Sequence, residues 1–168
     1  MKRLCLLRHA KSSWKDPELA DYDRPLNRRG KRDAPFMGQR LKKEGVRPDI
    51  ILSSPAKRAR RTAKLIAQEI DYPPKQIQWL ESLYAAGSES MLRIISEIDD
   101  GLSQVLLVGH NPGLTDLAER LTGTLVDNIP TAGIMAVDFD IDSWAEVAEG
   151  AGTVVFFDYP KKHSKAPK

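Results

Sequence analysis

The sequence of 168 residues has a single cysteine, Cys5, so no internal disulfide can form, and a lone thiol fits a reducing compartment. It also lacks any apolar run near the roughly 20 residues that a membrane helix needs. The opening stretch MKRLCLLRHAKSSWK returns to charge too early for a secretory signal. Charge of one sign is not in large excess. Lys and Arg number 26 against 23 Asp and Glu, a net of +3, too little for a dedicated nucleic-acid or polybasic membrane protein. No internal repeat, low-complexity tract or Gly/Ser linker divides the chain. The length suits one ordinary core, burying about two-thirds of the unfolded surface. These absences leave a single domain over residues 1–160, expected in the cytoplasm, with neither nucleic acid nor membrane as partner. A basic, loose tail follows over residues 161–168.

What is present is an alternation of apolar strands and amphipathic helices. Leu4 to Leu7, Asp49 to Ser53 and Gln104 to Gly109 are continuous apolar runs, the pattern of strands covered on both faces. Between them lie helix-like stretches. Arg28 to Glu44 follows the N-cap candidate Asn27, with Pro35 expected to kink it or mark a second start. Ala56 to Ile70 repeats Ala59, Ala63, Ile66 and Ile70 at helical spacing. Ser88 to Ile98 and Leu114 to Leu121 read the same way. Ile134 to Phe139 and Thr153 to Tyr159 look like neighbouring strands, and Gln76 to Leu80 like a further short one. The alternation predicts an α/β fold, a three-layer sandwich with a mostly parallel central sheet between helices. Ligands collect at the carboxyl ends of such strands. Arg8-His9, Ser53-Ser54 and His110 all fall there.

Those strand ends carry one kind of chemistry. In Gly109-His110-Asn111-Pro112-Gly113 the glycines allow a sharp turn and Pro112 suits the first helical position. His110 then stands at a helix N-terminus, which attracts anions. Ser54-Pro55-Ala56-Lys57-Arg58 is another strand-to-helix junction, with guanidinium groups in the first turns. Two imidazoles with Arg8 and Arg58 suit a phosphate dianion, which Arg grips with two parallel donors. No serine elbow, Walker loop or His-paired cysteine is present. A neutral imidazole can attack phosphorus directly and split the transfer into two steps. Arg8 and Arg58 stabilise the transferring group, and His110 is the second imidazole. The scheme calls for no metal and no cofactor.

Three ordered segments resemble the histidine phosphatase (phosphoglycerate mutase-like) superfamily. They are Leu6-Leu7-Arg8-His9-Ala10, Ser54-Pro55-Ala56-Lys57-Arg58-Ala59 with Thr62-Ala63, and Val108-Gly109-His110-Asn111-Pro112. The short length, Arg24-Pro25-Leu26-Asn27 with Gly30, and Leu83-Tyr84 are similar to its SixA-type phosphohistidine phosphatase branch. The resemblance implies that His9 becomes phosphorylated, that Arg8 and Arg58 bind phosphate, and that His110 completes the pocket. Partners would be a phosphorylated protein or small phosphorylated molecule, and the family implies a phosphorelay histidine protein. The usual Arg-His-Gly is Arg-His-Ala here, and Ser82 rather than Glu81 aligns with the acid of the mutase and sugar-phosphatase branches. Glu81, Asp16, Asp21 or Asp23 would have to swing in as acid. Weak acid provision favours a phosphoramidate, whose imidazole leaves readily once protonated.

Outside the central four residues, Ser12, Lys15 and Arg24 are candidate substrate contacts. For Arg24 a salt bridge to Asp21 or Asp23 is an equal alternative, and for Ser12 a capping or turn role. Arg60, Arg61 and Lys64 read as a solvated helix face. Cys5 reads as a small core residue, and His163 has no assigned role. Two rival functions stand beside the phosphohistidine phosphatase: a phosphomonoesterase or mutase using Glu81 or a nearby Asp, and a catalytically weak phosphoprotein-binding module.

Overall fold

The computed structural model describes residues 1–164. A six-stranded sheet forms its centre, in the order β3-β2-β4-β1-β5-β6. The strands are β1 (Lys2–Arg8), β2 (Ile50–Ser53), β3 (Gln78–Trp79), β4 (Gln104–Gly109), β5 (Ile134–Phe139) and β6 (Thr153–Asp158). β1, β2, β3 and β4 run parallel. β5 lies antiparallel to β1, and β6 antiparallel to β5. The helices are α1 (Arg28–Lys43), α2 (Lys57–Glu69), α3 (Ser88–Ser96) and α4 (Gly113–Thr122).

Alternation along the strands builds two cores. Cys5, Leu7, Ile51, Leu106, Val108 and Ile134 face α1 and α2, meeting Met37, Leu41, Ala63 and Ile66. Leu4, Leu6, Leu52, Val105, Leu107 and Met135 face the other way, toward α3 and α4. The middles of β1, β2, β4 and β5 are apolar because both their faces are covered, whereas the edge strands β3 and β6 keep exposed residues. The layers are those expected.

Three local expectations need amendment. α1 runs through Pro35 without a second start, since the bond Pro cannot make falls on the carbonyl of exposed Lys31, which water can satisfy. Pro112 is the cap of α4 rather than its first residue. The Asn111 Oδ1 accepts from Thr115 N–H at 3.1 Å and Thr115 Oγ at 2.9 Å, which anchors that end of the helix. In the tail, Pro160–His163 forms a short 3-10 turn. Its His163 ring meets Asp158 at 2.6 Å and packs on Phe36 at 5.5 Å between centroids. Residues 165–168 of the tail lie outside the described residues.

Gly30 holds α1 against the segment that follows His9. A Cβ there would sit 2.2 Å from the Lys11 carbonyl oxygen, the same oxygen that accepts from Asn27 N–H at 3.0 Å. Alanine gains about 1 kcal/mol in helix propensity, but crowding a backbone costs about 1–3 kcal/mol. Gly30→Ala therefore lowers unfolding stability by up to about 2 kcal/mol, read as a denaturant midpoint shifted downward at constant slope. A midpoint at or above wild type would contradict this packing.

Candidate active site

β1 ends at Arg8 and β4 at Gly109, paired directly across the parallel ladder, so His9 and His110 leave adjacent strands side by side. Their ring centroids lie 5.1 Å apart, and both residues are more than nine-tenths buried. The loop before β5 supports this end of β1. Ala132 N–H donates to the carbonyls of both Arg8 and His9 at 3.1 Å. Ala132 does so at φ +61°, a left-handed conformation that costs a residue with a Cβ about 1 kcal/mol. Thr62 of α2 ties in from the other side. Its hydroxyl accepts from Ala10 N–H at 2.9 Å and donates to the Arg58 carbonyl at 2.8 Å.

The hydrogen bonds fix which nitrogen of His9 is free. Nδ1 lies 2.8 Å from the Ala10 carbonyl, which only accepts, so Nδ1 carries the proton. The Nε2 lone pair then faces the Arg58 Nε, 3.4 Å away. His110 Nε2 meets the Ser54 hydroxyl at 2.7 Å, leaving His110 Nδ1 buried without a partner. Arg8 Nε is likewise buried and unpartnered, although its NH1 donates to the Ile129 carbonyl at 3.1 Å. Two orphaned polar atoms in one cluster are unusual, and a bound oxyanion is what would satisfy donors of this kind.

Burial pushes His9 down to about 3, aided by the charges of His110, Arg58 and Arg8, against the hydrogen bond to Ala10. His110 falls to about 4, chiefly by burial and then by Arg58. Arg8 is lowered by burial and by the like charge of Arg58. Two neutral imidazoles beside two crowded guanidiniums make a site short of negative charge.

The unfolded chain takes up protons on these imidazoles below about 6.5, whereas the folded one resists until about 4 and about 3. Their stabilising contribution is complete above about 6.5 and declines as pH falls from there, each by at most about 1.4 kcal/mol per pH unit. Two measurements check this. The imidazole resonances of His9 and His110 are expected to show no titration from pH 8 down to pH 5, and His110→Ala is expected to flatten the acid limb of stability against pH. Titration of either ring near pH 6.5 would contradict it.

Asp21, expected as one of several acids that could swing in or as a partner of Arg24, contacts the pocket through Arg58. It sits in the short turn Asp21–Asp23. Its backbone oxygen accepts from Arg58 NH1 at 2.6 Å, and its Oδ2 from Arg58 NH2 at 3.0 Å. Tyr84 Oη donates to the same Oδ2 at 2.7 Å, and Arg24 NH1 to Oδ1 at 3.0 Å. The Tyr84 hydrogen bond, followed by those from Arg58 and Arg24, holds the carboxyl down at about 2. Tyr84 also packs its ring against His110 at 5.6 Å.

The structure thus gathers Arg8, His9, Arg58 and His110. The other sequence candidates fall nearby or outside. Arg24 bonds to Asp21, to the Ser13 carbonyl at 3.2 Å and to the Ser12 hydroxyl, and its guanidinium stacks 3.3 Å from the Trp14 ring centre. Ser12 and Arg24 thereby engage each other, and of the two partners considered for Arg24 the structure selects Asp21. Lys15 is exposed, beside Ser13, Asp16, Leu19 and Pro25. Its ammonium has no hydrogen bond to the gathered groups among the described residues. Glu81 is exposed and accepts from Tyr22 Oη at 2.9 Å. Its link toward the pocket runs through Tyr22, whose ring meets Tyr84 edge-on at 5.0 Å. Ser82 lies elsewhere, in a hollow with Ile50, Leu80 and Ile94. Sequence reasoning gave no part to Asn111 beyond its place in a motif. Its Nδ2 donates to the Ile129 carbonyl at 3.0 Å, the oxygen that also receives Arg8.

Residues 4–84 match the model of the histidine phosphatase superfamily (branch 1). An uncharacterized protein of Mycobacterium tuberculosis is 35% identical over 165 residues, covering 92% of this chain and 100% of that one. An uncharacterized chloroplastic protein of Arabidopsis thaliana is 34% identical over 153 residues, 86% of this chain and 70% of that one. The crystal structure assigned as the phosphohistidine phosphatase SixA of Agrobacterium tumefaciens superposes with a TM-score of 0.82 at 30% identity, covering 95% of this chain and 98% of that one. The chain belongs to the histidine phosphatase superfamily. It is a phosphatase of the SixA type, and the expected family, fold and enzyme class all agree with these likenesses. Among the described residues no helix is long and apolar enough to cross a membrane.

Proposed function

We propose that this histidine phosphatase hydrolyses phosphohistidine through a covalent phosphoryl group on His9, and that it does so in the cytoplasm. The observation that carries the reading is the state of Asp21. Asp21, the carboxylate that contacts Arg58, is also bound by Arg24 and Tyr84 and held ionised down to about pH 2. It has no proton to give at neutral pH. An alkoxide leaving group needs such a proton, and a positioned acid is worth about 10²–10⁴ in rate. The imidazole of a phosphohistidine accepts a proton from water and leaves as a neutral ring.

The steps use only groups of this chain. The substrate phosphoryl enters between Arg8 and Arg58, whose donors neutralise its charge. His9 Nε2 attacks phosphorus, the P–N bond to the substrate imidazole breaks, and that imidazole takes a proton from solvent. Arg58, at 3.4 Å from Nε2, guides the phosphoryl onto the lone pair. His110, braced by Ser54, donates to a phosphoryl oxygen through Nδ1. Water then attacks the phosphorylated His9, the second P–N bond breaks, and inorganic phosphate leaves with His9 neutral again.

A substrate panel tests the reading. Phosphohistidine and phosphoramidate are expected to exceed 3-phosphoglycerate and sugar phosphates in kcat/KM by about 100-fold, the lower end of what a missing acid costs a phosphomonoester. The opposite order would mean that Glu81 or an aspartate delivers a proton after all, and would replace this reading with the phosphomonoesterase.

A further inference from the structure

One face of α2 is charged in a way the phosphate pocket does not use. Lys57, Arg60, Arg61 and Lys64 follow the spacing i, i+3, i+4, i+7 and are all exposed, so they form a single stripe. Arg58, one position off the stripe, is turned inward and buried. The stripe and Lys31 line a groove of about 500 Å³, whose floor includes Tyr22, Pro25 and Pro55. Among the residues lining it, Asp23 is the one carboxylate. None of the five cations takes part in an ion pair among the described residues. Like charges at these spacings weaken a helix slightly, and an anionic partner along the stripe would relieve that repulsion. Two of its members are already positioned: Arg60 and Lys64 lie over the Trp79 ring, 5.5 and 5.9 Å from its centre.

The groove adjoins the active site. Tyr22, which lines the groove, meets Tyr84 edge-on, and Tyr84 packs against His110. Asp21, the residue before Tyr22, grips Arg58. Pro25 belongs both to the groove and to a shallow depression with Ser13, Lys15 and Leu19. The segment that lines this second hollow, which also includes Asp16, carries two exposed apolar side chains, Trp14 at 71% and Leu19 at 39%. Arg24 stacks on the Trp14 ring, yet the indole stays largely exposed, and an exposed Trp is a common anchor of a protein interface, whereas a small polyanion has nothing to place on it.

Resting on the phosphohistidine reading with a phosphorylated protein as its substrate, we propose that this partner docks by an acidic surface in the groove of Lys31, Lys57, Arg60, Arg61 and Lys64 and by an apolar contact on Trp14. The phosphohistidine then enters the pocket beside the groove. The partner is chosen by charge complementarity along α2, and the pocket reads only its phosphoryl group.

Synthetic phosphohistidine dodecapeptides test this, one flanked by glutamates and one by lysines, each with a leucine, and phosphoramidate serves as the substrate without flanks. The wild-type protein is expected to favour the glutamate-flanked peptide by at least about 10-fold in kcat/KM, the gap narrowing at high salt. Replacing the stripe through Arg60→Gln, Arg61→Gln and Lys64→Gln removes the preference while phosphoramidate turnover stays within about twofold, which also reports an intact pocket. Trp14→Ala lowers both peptides about threefold and leaves phosphoramidate unchanged. Equal turnover of the two peptides by wild type overturns the docking proposal and leaves the phosphohistidine reading standing. Absence of turnover on both peptides and phosphoramidate overturns the reading and the proposal together. Tripolyphosphate hydrolysed faster than either peptide, with that rate lost in the triple variant, would assign the groove to small polyphosphates instead. Stronger inhibition by a single-stranded oligonucleotide than by a glutamate peptide would assign it to nucleic acid.

Discussion

His9→Ala is expected to reduce phosphate release at least about 100-fold, and to abolish the labelled phosphate that wild type retains on a histidine during turnover. The size follows from what remains. Arg8, Arg58 and His110 would still bind the phosphoryl group, but the only attacking atom would be water. His110 cannot take over as nucleophile. Its Nε2 is engaged by Ser54 at 2.7 Å, and its ring stands on the other strand, its centroid 5.1 Å from that of His9. His9→Asn, which keeps a polar group that can meet the Ala10 carbonyl, separates chemistry from packing. It should be as inactive as His9→Ala while unfolding near wild type. Near-normal turnover in either variant, or label recovered on another residue, would remove His9 from the reaction.

The four central residues were legible because each stands where a local pattern changes. Arg8-His9 and Gly109-His110 end continuous apolar runs, and Arg58 opens a helix one residue off its exposed stripe. Strand ends converge in a parallel sheet, so spacing along the chain translated into proximity in space. The surrounding residues obey no such rule. Asp21 sits in an irregular acidic stretch, where Asp16, Asp21 and Asp23 look equivalent. What distinguishes it is a turn that offers both its carboxylate and its backbone oxygen to Arg58. Ser54 was visible at a strand end but its role depends on the facing His110, a contact across 56 positions of sequence. Ala132 carries no side-chain chemistry at all. It acts through a left-handed backbone that bonds two carbonyls at once, and only coordinates can display that.

Asp21 also changes the sense of the acid question. At the sequence level Ser82 stands where relatives place the acid, with Glu81, Asp16, Asp21 and Asp23 as groups that could swing in. In the folded protein a carboxylate is close by, but it is committed as an anion to Arg58, Arg24 and Tyr84. A group held at about 2 acts on the guanidiniums rather than on the leaving group. The pocket is arranged to fix an arginine, not to deliver a proton.

That arrangement gives Arg58→Ala the second large effect. Its guanidinium reaches the His9 Nε2 at 3.4 Å and is the main contact between Asp21 and the pocket. Loss of one of the two phosphate-binding arginines should lower kcat/KM by about 100–1000-fold, the range seen when a charged stabiliser of a transition state is removed. Arg58→Lys should recover little, because an ammonium cannot offer two parallel donors. A readout independent of turnover accompanies this. Inorganic phosphate at about 100 times its dissociation constant stabilises a folded protein by about 2.7 kcal/mol, and that gain should vanish in Arg58→Ala. The same variant should also move both imidazoles upward, since the Arg58 charge is among the causes lowering His9 and His110. Loss of phosphate stabilisation with unmoved histidines would mean that Arg58 binds phosphate from farther away than its present contact with His9. Retained stabilisation and retained turnover would show that Arg8 alone grips the phosphoryl group, and that the Arg58–Asp21 pair serves only to hold α2 against the Asp21–Asp23 turn.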